Sequence, residues 1–201
     1  MDVLKLLKEA AQVEAEAAAR LVDQLDQSFV DAVQLIQQCE AKVVVSGVGK
    51  SGLIGRKIAA SLASTGTPAF FVHASEAVHG DSGMIEARDV VILLSNSGET
   101  SEVLNLLPVL EQIGCKKIAI TSGRDSTLAR ACDLALIYTY EREADHLNLA
   151  PTTSAVLTLI IGDALAVTLS VLKGFGQKDF YRYHPGGSLG AQLSNLYKES
   201  R

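Results

Sequence analysis

Val43–Gly55 reads VVVSGVGKSGLIG. Three β-branched residues in a row suit a buried strand, and the glycines at 47, 49 and 52 suit a sharp turn into a helix. Strand, turn and helix within one such stretch is the opening of a nucleotide-type α/β unit, and two phosphate-binding patterns overlap on it. A P-loop needs GxxxxGK[ST], which places a glycine at position 44, where this chain has Val44. That reading fails. Gly47-Val48-Gly49-Lys50-Ser51-Gly52 fits the dinucleotide pattern GxGxxG. That pattern also requires an acidic residue at the end of the second strand, to hold a ribose. The next strand-like run, Pro68–Val72, ends in His73-Ala74, and Glu76 comes too late. An oxidoreductase with a nicotinamide cofactor is therefore disfavoured.

Working outward, short apolar runs of strand character lie at Lys42–Val45, Pro68–Val72, Val90–Ser95, Lys117–Thr121 and Leu134–Tyr138. Helical periodicity separates most of them, at about 51–65, 99–113 and 125–131, and a long apolar helix follows from about Thr152 to Leu172. Strands apolar nearly throughout and alternating with helices predict a three-layer α/β sandwich around a five-stranded parallel sheet. Residues 1–40 are helical in character, with Val22, Leu25, Phe29 and Ile36 at helical spacing. Asp26 or Ser28 is placed to cap a second helix there. The expected organisation is a helical segment 1–40 leading into a single domain over 41–201.

Composition narrows the function. The 201 residues are 48% hydrophobic and 20% charged, with a net charge of −5 and no basic run. This argues against nucleic acid or an anionic membrane as partner. Cys39, Cys115 and Cys132 are scattered, with no metal-ligand spacing, and read as reduced thiols. The N-terminal residues lack a signal-type apolar run, so a cytoplasmic protein is expected. Ala155–Leu172 is interrupted by Gly162 and Asp163, which suits a buried helix better than a membrane span.

A second phosphate candidate follows the third expected strand. In Ser95-Asn96-Ser97-Gly98-Glu99-Thr100-Ser101, four hydroxyls and several backbone N–H groups approach one helix start. An ordinary helix cap explains one of these hydroxyls and leaves the other three unexplained.

GVGKSG, ASTGTPAFFVHASEAVHGDSGM, SNSGETSEV, LAPTTS and HPGGSLG, in this order, resemble the sugar isomerase (SIS) domain, most closely its D-arabinose 5-phosphate isomerase branch. The resemblance runs from about residue 40 to 193. It implies a flavodoxin-like fold, interconversion of D-arabinose 5-phosphate and D-ribulose 5-phosphate without a cofactor, and a homotetramer with sites shared between subunits. It implies that Ser51, Ser95, Ser97 and Thr100 hold the phosphate and that Lys50, His79, Glu102, Glu143 and His184 form the polar active-site set. Relatives supply lipopolysaccharide or capsule synthesis. The best-known ones continue into a pair of CBS domains beyond the region matching HPGG, whereas this sequence runs to Arg201, so a SIS domain without that pair is expected.

Aldose–ketose isomerisation needs a base, a proton shuttle between two oxygens and a group that stabilises an enediolate. His184 and Glu143 are the acid–base candidates, and Lys50 the electrostatic one. His79 fits ring opening or substrate orientation; the alternatives are a structural histidine or a metal ligand paired with Asp81, such as an inhibitory zinc at His79. Glu102 fits a substrate hydroxyl or the Lys50 ammonium. His73 and His146 have no motif around them and read as structural or surface residues. Two rivals stand beside this reading: an isomerase of a hexulose or heptose phosphate, and a sensor that binds a sugar phosphate without turnover.

Overall fold

The computed structural model describes residues 2–186. Five strands, β1 (Val43–Gly47), β2 (Ala69–His73), β3 (Val90–Leu94), β4 (Lys116–Thr121) and β5 (Leu134–Ile137), form one parallel sheet in the order β2-β1-β3-β4-β5. Each lies within two residues of its expected position. Their continuous apolarity follows from burial on both faces. Val43, Val45, Ile92, Leu94, Ile118 and Ile120 point into one core; Val44, Val91, Leu93 and Ala119, one residue out of phase, point into the other.

The first core is closed by α1 (Val3–Leu21), α2 (Gln27–Gln37), α3 (Gly49–Ser64) and α8 (Thr153–Leu172). The second is closed by α4 (Ala74–Ala77), α5 (Ser101–Leu104), α6 (Leu107–Ile113) and α7 (Thr127–Ala131). Asp26 caps α2, accepting from the Ser28 N–H at 2.9 Å and the Ser28 hydroxyl at 2.6 Å. The stretch 99–113 is two helices rather than one. Pro108 sits in the first turn of α6, where its missing N–H costs nothing, and it cannot extend the preceding turn. A seven-residue helix, α9 (Gln177–Tyr183), follows α8 beyond the last element expected from the sequence; it is too short to register a period. The part of HPGGSLG beyond Gly186 lies outside the described residues.

By length and mean hydropathy (2.2 over its most apolar window) α8 could cross a membrane. Its inner face, with Leu157, Ile161, Leu165 and Leu169, is instead part of the core. The two residues that break its apolar run both serve the contact with α3. Asp163 pairs with Lys57, and a Cβ at Gly162 would lie 2.3 Å from Cγ1 of Ile58. Isoleucine is stiff at that branch point, so the backbone must move. Alanine normally stabilises a helix by about 1 kcal/mol over glycine. Gly162→Ala is nevertheless expected to lower stability by about 1–2 kcal/mol, overpacking outweighing propensity, as urea unfolding would measure. At its other end α8 is pinned by Lys173, whose Nζ donates to the Gly66 carbonyl at 3.1 Å and to Thr67 Oγ1 at 2.8 Å, just before β2.

The chain steps from β1 out to β2 and returns to β3 on β1's other side. Above the carboxyl ends of β1 and β3 the connections diverge, which opens a crevice suited to a ligand.

Candidate active site

Two turns border that crevice. After β1, Gly49 adopts φ +57°, which delivers the chain into α3 with no side-chain cap on its first N–H groups. Those donors, with the Ser51 hydroxyl, face an incoming anion favourably. After β3, the Ser95 and Thr100 hydroxyls are 2.7 Å apart, Gly98 N–H donates to Ser95 Oγ at 3.0 Å, and Glu99 N–H donates to Ser97 Oγ at 3.1 Å. Gly98 is at φ +70°, and a Cβ there would meet Ser126 Oγ at 2.0 Å. This turn tolerates no side chain at 98. The Glu99 carboxylate is occupied elsewhere: it accepts the Thr127 N–H at 2.7 Å at the start of α7, a bond that holds its pKa below the ordinary carboxylate range.

Glu143 comes from the loop between β5 and α8 and is only 5% exposed. Its Oε2 accepts from the Thr152 N–H at 2.8 Å, the Thr152 hydroxyl at 3.1 Å and the Ser154 N–H at 3.1 Å. Burial pushes this carboxyl's pKa up; hydrogen bonds from the Ser154 hydroxyl, the Thr152 and Ser154 N–H groups and Tyr140 pull it further down, and the net shift is downward. The carboxylate is therefore charged at neutral pH and sits at the positive end of a 20-residue helix.

Two cavities meet at Asn96 and Pro151. The larger, about 450 Å³, is lined by Tyr140, Arg142 and Glu143; the smaller cleft is lined by Lys50, Ser51, Tyr138 and Ser154. Lys50, Ser51 and Glu143 thus border one crevice, with the Ser95–Thr100 turn beside them. Glu102 is exposed on α5, where its own backbone N–H and then the Ser101 hydroxyl, 2.9 Å away, lower its pKa, with a further contribution from His73. His79 is exposed in the turn after α4, and among the described residues no cluster of three His, Cys, Asp or Glu side chains could hold a metal.

His184 is not in this crevice. It ends α9, with Nδ1 2.9 Å from the Phe180 carbonyl and its ring stacked on Phe180 at 3.9 Å. Its neighbour Tyr183 stacks on Phe175, which covers Gly66 before β2. The length of α8, about 30 Å, separates this region from Thr153 and the crevice. Sequence reasoning missed Asn96, Tyr140, Thr152 and Ser154. The hydroxyls of LAPTTS, just before an apolar helical run, were the available signal for the last two.

Residues 35–168 match the SIS domain family. Over 193 residues, 96% of this chain, it is 50% identical to the arabinose 5-phosphate isomerase KdsD of Yersinia pestis, of which it covers 59%. Over 94% of the chain it is 50% identical to the arabinose 5-phosphate isomerase GutQ of Escherichia coli K12, of which it also covers 59%. The chain thus spans a little over half the length of these relatives. A structure of an E. coli CFT073 protein in complex with arabinose 5-phosphate matches with a TM-score of 0.90 and 47% identity, over 92% of this chain and 100% of that one.

Proposed function

This chain belongs to the SIS domain family, and from that premise we propose that it interconverts D-arabinose 5-phosphate and D-ribulose 5-phosphate through an enediol. The observation that carries this reading is the crevice itself: an uncapped helix start and a hydroxyl-rich turn, a buried charged carboxylate, and Lys50 in the lining of the adjoining cleft. The phosphate is held by the α3 N–H groups with Ser51, Ser95, Ser97 and Thr100. Glu143 removes the proton from C2 of the aldose and returns it to C1, while a proton moves from O2 to the carbonyl oxygen O1. Lys50 offsets the negative charge that develops on the oxygens. Aldose and ketose are at the same oxidation level, so no redox cofactor is needed.

His184 serves the crevice of a neighbouring copy, as the proton shuttle between the two oxygens, within a homotetramer. Glu102 and His79 contact the sugar hydroxyls at the open side. The reaction is cytoplasmic and supplies lipopolysaccharide or capsule sugars. The strong identity to arabinose 5-phosphate isomerases favours this substrate over a hexulose or heptose phosphate.

The test mixes arabinose 5-phosphate with the purified chain in heavy water, without metal or NAD, and follows the reaction by NMR. Ribulose 5-phosphate with deuterium at C1 is expected. Saturable binding without turnover or exchange would replace the isomerase by a sensor; neither binding nor turnover would remove this substrate.

A further inference from the structure

Asn96 lies inside the turn read as phosphate-binding, between Ser95 and Ser97, yet its side chain leaves that turn. Its carbonyl oxygen accepts from the Ser122 N–H at 2.9 Å, the Ser122 hydroxyl at 2.8 Å and the Thr121 hydroxyl at 3.1 Å, which fixes the backbone to the end of β4. Its Oδ1 accepts from the Tyr138 hydroxyl at 2.9 Å, and its Nδ2 donates to the Tyr140 hydroxyl at 2.8 Å. Tyr138 is 1% exposed, stacks on Tyr140, and its hydroxyl is 3.1 Å from that of Thr158 on α8.

Tyr138 has one proton to give and Asn96 Oδ1 accepts it, while Asn96 Nδ2 gives an N–H to Tyr140. Both tyrosines lead on to Glu143. Tyr140 lines the same cavity as the carboxylate. Thr158 Oγ1 lies 3.1 Å from the Tyr138 hydroxyl and 2.9 Å from the Ser154 carbonyl, and the Ser154 N–H donates to Glu143.

We propose that Asn96 is a positioning residue that sets the distance between the phosphate turn and the Glu143 carboxylate, and thereby the length of sugar phosphate that reacts. The inference rests on the isomerase reading above. A substrate held by its phosphate at the Ser95–Thr100 turn presents C2 to Glu143 only if its carbon chain matches this spacing. On this inference a five-carbon chain fits the spacing, and with one carbon more C2 is displaced from the carboxylate. Asparagine alone supplies both halves of the link: aspartate has no N–H for Tyr140, and glutamine is one methylene too long.

Tyr140→Phe, which keeps the ring and its stacking, and Asn96→Asp, which keeps the shape, test this in the full chain. Turnover would be measured on arabinose 5-phosphate and on glucose 6-phosphate as a six-carbon probe. Misplacing a reacting group by about 1 Å costs about 100-fold in rate, so kcat for the pentose phosphate is expected to fall by about that factor. For Tyr140→Phe, KM should move by less than about threefold, because the phosphate turn keeps its backbone bonds; KM is compared on this variant alone, since Asn96→Asp also brings a negative charge to the phosphate turn. The preference for five carbons over six should shrink at least about tenfold. A melting temperature near wild type for Tyr140→Phe excludes simple unfolding as the cause. Equal losses on both sugars, or a raised KM with kcat kept, overturn the proposal. No turnover of either sugar by the wild-type protein overturns the isomerase reading and this inference with it.

Discussion

Glu143→Gln is expected to lower turnover of arabinose 5-phosphate by about 10³-fold while the protein still folds. The amide keeps the shape of the side chain and one acceptor oxygen for the Thr152 and Ser154 N–H groups, but it has no basicity to offer C2. The substitution also reports on stability. The folded-state pKa of Glu143 is depressed, so its contribution is complete above the unfolded value of about 4.3 and is lost as pH falls through the folded value. At neutral pH the variant should be less stable by about 1–2 kcal/mol, a charge-assisted hydrogen bond being stronger than a neutral one. That difference should narrow in acid, because only the wild type has this carboxylate to protonate. Melting curves from neutral pH down to about pH 3, spanning the glutamate range, measure the narrowing. Turnover near the wild-type level would remove Glu143 as the base.

The second large effect concerns His184. Lys50 lines the crevice, whereas His184 stands near Gly66 at the far end of α8. If each site takes its histidine from a neighbour, Lys50→Ala and His184→Ala are each inactive alone. Mixed after reversible dissociation, they should regain activity. Random pairing across a two-fold interface makes half the pairs mixed, each with one intact site, so about one quarter of wild-type activity is expected. Recovery on mixing cannot occur if both residues act within one chain. Continued inactivity in hybrids shown by mass spectrometry to contain both chains would rule out the shared site.

The sheet was legible because a parallel strand covered on both faces is apolar at every position. Val43-Val44-Val45 and Val90–Leu94 carry no competing pattern. The turns after β1 and β3 were legible for a related reason: polar, glycine-bearing segments stand out against such strands. Pro108 divided an expected helix, since period alone does not reveal where a helix must restart. Two features of the site were hidden. Asn96 meets Tyr138 and Tyr140 across more than forty positions of sequence, and no local pattern encodes that meeting. The separation of His184 from Glu143 was equally invisible, because it depends on which way α8 runs across the sheet.

The charged residue near the middle of α8 has a consequence for the chain as it leaves the ribosome. Until α3 is packed against it, α8 is a 20-residue segment with the length and hydropathy of a membrane span. Asp163 lies near its midpoint, where an aspartate adds about 3 kcal/mol to the free energy of insertion by the translocon. The carboxylate that pairs with Lys57 in the finished protein therefore also disfavours diversion of the nascent chain into the bilayer before that partner is in place.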